Sequence, residues 1–144
     1  MLTTIVAEAR RMVLLENGPD ILNMNLTGIK IGPIAIIGIP GEPFTKIGLE
    51  LKATEGFDMI LPCCTANGYE GYFPMQSAFD EGGYEARVSN FKAGVAEHII
   101  AEGTKLLEAY INNSSQKTLR RLISQFLHLR LSWQIRQVSI SGIM

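Results

Sequence analysis

Apolar residues recur along this chain with two periods, one helical and one extended. Residues 4–17 read as a helix: Leu2, Ile5, Val6, Ala9, Met12 and Val13 share a face. Thr3 or Thr4 can cap its start, and Asn17-Gly18-Pro19 stops it. Residues 22–31 read as a strand, and Gly32-Pro33 turns the chain tightly into the next, which predicts an antiparallel hairpin. The run at 34–39, Ile-Ala-Ile-Ile-Gly-Ile, is apolar on both sides and predicts a strand covered on both faces. Pro40-Gly41 ends it. Pro43 suits the first turn of a helix over residues 43–54, with Ile47, Leu49 and Leu51 at its apolar positions.

A further strand is expected over residues 57–65, where Pro62 marks an irregularity or a sheet edge. Residues 66–74 form a glycine-rich loop opened by the Asn67-Gly68 turn signal, a short turn follows around 75–79, and residues 81–87 read as a flexible connector. A helix is predicted over 92–111, with Val95, Ile99, Leu106, Leu107 and Tyr110 in phase, ended by Asn112-Asn113-Ser114-Ser115. In the tail, Leu119, Leu122, Ile123, Phe126, Leu127 and Leu131 face one way, and Lys117, Arg120, Arg121, Gln125 and His128 the other. Together these elements predict the α/β class: a mixed β-sheet with flanking helices.

Composition changes this picture at one place. The chain has 144 residues, 47% of them hydrophobic and 19% charged, which suits a single globular core rather than a disordered polymer. A net charge of -1 argues against nucleic acid as the main partner. The charge is unevenly placed: residues 113–144 hold five basic residues and no acid, against eight basic and fourteen acidic residues before them. This shift divides the chain into residues 1–112 and an atypical basic tail, 113–144. The only cysteines, Cys63 and Cys64, are adjacent; they make no disulfide framework, lack metal-ligand spacing and are expected in a buried strand. No apolar run approaches the length of a membrane span, and the N-terminal residues are no signal peptide.

The candidate chemistry begins at Glu42. A lone acid stands between a buried strand and a helix start, at the carboxyl end of a strand, where open sheets bind their ligands. Helix-terminal N–H groups favour its ionised form, so it is either a helix cap or a ligand and catalytic group. Tyr69 and Tyr72, three apart in a glycine-rich loop, are not what a core wants, although an aromatic plug over the sheet end accounts for Tyr72 as well.

Pro40-Gly41-Glu42 followed by Phe44-Thr45, then Asn67-x-Tyr69-x-x-Tyr72, then Tyr84-Glu85-Ala86, is an ordered set of motifs. Over roughly residues 4–110 the chain resembles the C-terminal part of the catalytic domain of neutral and alkaline ceramidases and their bacterial relatives. Pro43 is an insertion relative to the ceramidase motif, one that the bacterial relatives often carry. The resemblance implies a zinc amidohydrolase that cleaves an N-acyl bond of a lipid-like substrate. In that family the metal is held by two histidines, a glutamate and a tyrosine; the last two correspond to Glu42 and Tyr72, and Tyr72 is also the catalytic candidate beside the metal. Glutamate and phenolate oxygens complement imidazoles on zinc, which polarises an acyl carbonyl and acidifies water or a hydroxyl. Asn67, Tyr69 and Tyr84 are expected around these ligands.

The family's two metal histidines and its serine nucleophile precede the Pro-Gly-Glu motif and have no counterpart here; His98 and His128 match neither ligand motif. The chain is therefore expected to be a partial domain of a larger α/β hydrolytic domain, inactive in isolation. Its expected partner is the missing N-terminal part or a complementary chain. The tail suits a C-terminus read in a shifted frame; the competing account is a basic amphipathic helix resting on a membrane surface. Two other readings compete: a non-enzymatic association module, and a metal-independent hydrolase with Glu42 and Glu85 as its acid/base pair.

Overall fold

The computed structural model describes residues 2–19, 21–124 and 134–143. An N-terminal helix, α1 (Leu2–Glu16), leads into β1 (Ile21–Ile31) and β2 (Ile34–Gly38). These pair as the expected antiparallel hairpin, with Ile31 opposite Ile34 and Thr27 opposite Gly38. Gly32 supplies the positive φ, 58°, that so short a link requires. After β2 come the two-residue β3 (Glu42–Pro43), α2 (Thr45–Lys52) and β4 (Met59–Cys63). β4 returns parallel to β2, pairing Ile34 with Met59 and Gly38 with Cys63. The remaining elements are β5 (Tyr72–Phe73), α3 (Gln76–Glu81), α4 (Tyr84–Val88), α5 (Val95–Ser124) and β6 (Gln134–Ile143). The main sheet is ordered β4-β2-β1-β6, with β6 antiparallel to β1; β3 and β5 form a separate parallel pair. The α/β class with a mixed sheet and flanking helices is therefore what the chain adopts. Pro62 lies in β4, an edge strand of the sheet, where its missing N–H is tolerated.

One face of the sheet carries the core. Met24 and Leu26 of β1 and Ala35 and Ile37 of β2 are buried, together with Ile60 of β4, under Ile47 and Leu51 of α2 and Ile99, Leu106, Leu107 and Tyr110 of α5. α5 approaches closely at Gly103, where a Cβ would lie 2.6 Å from Leu51 Cδ2 and 3.1 Å from Ile37 Cδ1. Tyr110 is fully buried, and its hydroxyl donates to the Gly28 carbonyl at 2.5 Å, joining helix to sheet. Phe73 of β5 is also fully buried and stacks at 5.2 Å on Phe91.

Several expectations are corrected. The 34–39 run is not covered on both sides: on the face opposite α2 and α5, Ile34 and Ile36 are half-buried, and Ile31 and Met59 remain 58% and 51% exposed. An apolar run alone does not distinguish one covered face from two. Cys63 and Cys64 are exposed rather than buried, because β4 is an edge strand in which only Ile60 is buried. The helix after Glu42 starts at Thr45, so Pro43 lies in β3 rather than in the first turn; Ile47 and Leu51 are buried but Leu49 is 60% exposed. Residues 84–87 of the connector, with Val88, form α4, a helix too short to show periodicity. Asn112 to Ser115 do not end α5, which runs on to Ser124. Asn and Ser each cost only about 0.5 kcal/mol in a helix, and residues 104–124 contain no Gly or Pro.

α1 is turned away from its expected orientation. Val6, Met12 and Val13 of its apolar side are exposed. Arg11, on the opposite side, holds the helix to the body by donating from Nη1 to the Ser89 carbonyl at 2.6 Å and from Nη2 to the Arg87 carbonyl. In the tail, residues 113–124 belong to α5 and residues 134–143 to β6, so the compositional boundary at 112 falls inside a helix. Gln125, Phe126, Leu127, His128 and Leu131 of the tail's helical pattern lie outside the described residues. Among the described residues no helix is long and apolar enough to cross a membrane.

Candidate functional site

Two parallel strands leave the sheet at the same end, and each is followed by one half of the site. After β2 the chain turns at Pro40-Gly41 and presents Glu42; after β4 it makes the loop that ends in Tyr72. Backbone hydrogen bonds join the two segments: Thr65 N–H to the Gly41 carbonyl at 2.8 Å, Ala66 N–H to Ile39 at 3.0 Å, Glu70 N–H to Pro40 at 2.8 Å, and Glu42 N–H to Gly71 at 2.8 Å. The β3–β5 pair then sets Glu42 opposite Tyr72 and Pro43 opposite Phe73. Alternation along β5 sends Phe73 into the core, which leaves Tyr72 on the other side.

The loop that does this is conformationally demanding. Thr65 and Asn67 have positive φ, 51° and 62°, and Gly71 has 84°. Asn tolerates this region, but a β-branched residue there is an outlier that costs about 1–3 kcal/mol. The Thr65 hydroxyl donates to the Cys64 carbonyl at 2.8 Å, and Asn67 Nδ2 donates to Thr27 Oγ1 at 2.6 Å, tying the loop to β1.

The side chains gather around Glu42. The Tyr69 hydroxyl donates to Glu42 Oε1 at 2.7 Å. Tyr72 meets Tyr84 edge to face, with ring centroids 6.2 Å apart. Glu42, Phe44, Lys46, Tyr72 and Glu85 line an open cleft of about 420 Å³. The hydrogen bond to Glu42, and then its charge, push the Tyr69 hydroxyl above the usual tyrosine range. The Glu42 charge does the same to Tyr72, with desolvation, Tyr84 and Glu85 adding to it. Both phenols are therefore held in the neutral, donating form.

Of the predicted residues, Glu42, Tyr72, Tyr69 and Tyr84 come together, joined by Glu85. Asn67 does not point its amide at them; it secures the loop through Thr27. Glu42 is not the cap of α2: Phe44 occupies that position without a side-chain bond, and the carboxylate meets Tyr69 instead. His98 is exposed on α5 and does not line the cleft, and His128 lies outside the described residues. Ser89, missed in the sequence, is 4% exposed; its hydroxyl donates to the Tyr72 carbonyl at 2.9 Å and accepts the Phe91 N–H at 3.2 Å. A single serine between Val88 and Asn90 carries no signal of that role.

Zinc takes four ligands in a protein-built site. Glu42 and Tyr72 offer two oxygens from opposed positions, and among the described residues no cluster of three His, Cys, Asp or Glu side chains stands ready for a metal. Two oxygen donors are fewer than zinc requires, so the donor set in hand does not by itself fit the metal. What the cleft offers by itself is a carboxylate beside tyrosine hydroxyls, a set of acceptors and donors for a polar group. Compared with protein-family models, with curated proteins and with solved structures, the chain matches none.

Proposed function

We propose that this chain is part of a ceramidase-like amidohydrolase domain and supplies the oxygen half of a zinc site that cleaves an N-acyl bond of a lipid-like substrate. One observation carries the proposal. Three short motifs, far apart in sequence, converge on one cleft: Glu42 opposite Tyr72, Tyr69 bonded to Glu42, Tyr84 against Tyr72, and Glu85 in the lining. Such convergence is expected of a site and not of motifs that arise by chance in a packing surface.

In this proposal Glu42 and Tyr72 are the metal's oxygen ligands, and the nitrogen ligands and the nucleophile come from a complementary polypeptide. The cleft would seat an acyl group beside these two oxygens, and Tyr72, neutral in the metal-free chain, would give up its proton to bind zinc as phenolate. Tyr69 fixes the Glu42 carboxylate through Oε1. With only two protein oxygens, the chain by itself binds zinc weakly and hydrolyses little.

The test is zinc competition against a chromophoric chelator, alongside hydrolysis of a fluorogenic N-acyl amide with zinc added. Weak one-to-one zinc binding that is lost in Glu42→Gln and in Tyr72→Phe supports the assignment. Zinc binding equal in all three proteins overturns it, as does amide hydrolysis that survives Glu42→Gln. A second reading has one observation in its favour: Glu42 and Glu85 line the same cleft, as a metal-independent carboxylate pair requires. It predicts zinc-independent hydrolysis abolished by Glu85→Gln.

A further inference from the structure

Outside the cleft, the chain's only two thiols stand side by side at the end of β4. Cys63 is the last residue of the strand, paired with Gly38, and Cys64 is the first residue of the turn that follows; both are free and exposed. Within a strand, neighbouring side chains point to opposite faces. Cys64 already belongs to the turn, where strand alternation is not imposed, and the Cys63 thiol donates to the Leu61 carbonyl at 3.8 Å from its exposed position. The Cys63 carbonyl is held by the Ile39 N–H at 2.9 Å, and the Thr65 N–H by the Gly41 carbonyl at 2.8 Å. The pair thus sits between two anchored points, with both thiols open to solvent.

Three fates are open to such a pair, and the geometry separates them. A disulfide prefers Cα atoms roughly 4.4–6.8 Å apart, whereas adjacent residues are fixed at about 3.8 Å by the peptide unit. A bond between these sulfurs would be strained and readily reduced. A closed zinc site needs four ligands, and among the described residues no third His, Cys, Asp or Glu completes one here. A soft centre that asks for only two thiolates meets neither obstacle, because inserting one atom between the sulfurs lengthens the bridge and relieves the strain.

We propose that Cys63-Cys64 is a chelating site for trivalent arsenicals, species that seek two thiols and keep a third ligand of their own. With an aryl arsenoxide the step balances without any redox change. Two S–H bonds break and two As–S bonds form; the oxide leaves with both protons as water, and arsenic stays trivalent. The site is independent of the zinc reading, and its test does not involve the cleft.

The test is intact-mass spectrometry of the full chain with phenylarsine oxide, followed by challenge with excess monothiol and then with a small dithiol. The expected result is one arsenical per chain that resists the monothiol and is removed by the dithiol. Cys63→Ser and Cys64→Ser should each weaken retention at least ~100-fold, the loss expected when a two-point attachment becomes one-point. Both side chains are exposed, so the variants keep the fold, which the far-ultraviolet circular dichroism of each checks. Retention unchanged in either variant, two arsenicals per chain, or an adduct bridging two chains would each overturn the proposal.

Discussion

Gly41→Ala is the sharpest probe of how the cleft is built. Gly41 has no positive φ, so its need for glycine is spatial rather than conformational. A Cβ at this position would lie 2.6 Å from the Gly71 carbonyl oxygen, 2.6 Å from Phe73 Cε2 and 2.8 Å from Phe73 Cζ. The oxygen is backbone and already accepts the Glu42 N–H at 2.8 Å, and Phe73 is fully buried, so neither can move aside cheaply. Overpacking of this kind costs about 1–3 kcal/mol. Weakening the Glu42–Gly71 bond adds about 0.5–1.5 kcal/mol, and the stiffer unfolded chain returns about 0.4–1 kcal/mol. The net expectation is a loss of about 2 kcal/mol, measured as a lower urea midpoint at unchanged m-value. Two comparisons isolate the cause. Gly32→Ala, with φ of 58° and nothing within 4 Å, bears a conformational penalty only and should leave the tyrosine near-ultraviolet circular dichroism intact. Adding Phe73→Leu to Gly41→Ala should recover part of the loss, with a coupling of about 0.5–1 kcal/mol. A Gly41→Ala protein within about 0.5 kcal/mol of wild type, the range of an ordinary surface change, would refute close approach as the reason for this glycine. So would a null coupling.

Ser89→Ala should cost about 1–2 kcal/mol in urea unfolding, because it removes the buried hydroxyl that joins the Tyr72 carbonyl to the Phe91 N–H; an unchanged midpoint would show that this bridge contributes nothing. Tyr69→Phe should leave stability within about 0.5 kcal/mol, since the residue is exposed, yet weaken zinc binding about 10-fold or more by freeing the Glu42 carboxylate; equal affinity removes Tyr69 from the site. In Glu42→Gln the carboxylate that raises Tyr69, chiefly by its hydrogen bond, and Tyr72, chiefly by its charge, is gone, so both titrations should move down toward the ordinary tyrosine value, read as the phenolate absorbance during alkaline titration. Superimposable titration curves for the two proteins would refute the link between Glu42 and the two tyrosines.

The parts of the fold that were legible in the sequence are those set by local chemistry. Gly32-Pro33 between two apolar runs specified a hairpin because few other links of that length can be made. Pro62 marked an irregularity or an edge because a proline cannot join a ladder on both sides, and β4 lies at an edge. Glu42 stood out because nothing else between a β-branched run and a helix was charged. What escaped depends on tertiary placement. That Val6, Met12 and Val13 of α1 face outward depends on where Arg11 finds carbonyls, about eighty residues away in sequence. That Cys63 and Cys64 are open follows from how little of β4 is covered: Pro62 pointed to an edge, but the apolar character of 59–63 read as burial, and only Ile60 is buried. The bonds from Tyr69 to Glu42 and from Ser89 to Tyr72 depend on side-chain reach across loops, for which no periodicity exists.

The cleft itself follows from one topological fact. β2 and β4 are parallel, so their following segments must emerge at the same end of the sheet, the end where open sheets bind ligands. If β4 had returned antiparallel, the loop bearing Tyr69 and Tyr72 would have left from the opposite end, and Glu42 would have faced solvent alone. Parallel return needs a crossover, which α2 supplies within the short stretch between Glu42 and Met59. That same helix buries Ile47 and Leu51 against the sheet and fixes how far the Pro-Gly-Glu corner can drift. The core and the candidate site are therefore coupled through α2, and Leu51→Ala provides the test. It should cost about 2–5 kcal/mol in unfolding, as large-to-small core changes do. At urea concentrations where the variant is still folded, it should also loosen the tyrosine near-ultraviolet signal. Full loss of stability with an unaltered tyrosine signal would mean that the corner is held by its own backbone bonds, and that α2 serves only as a crossover.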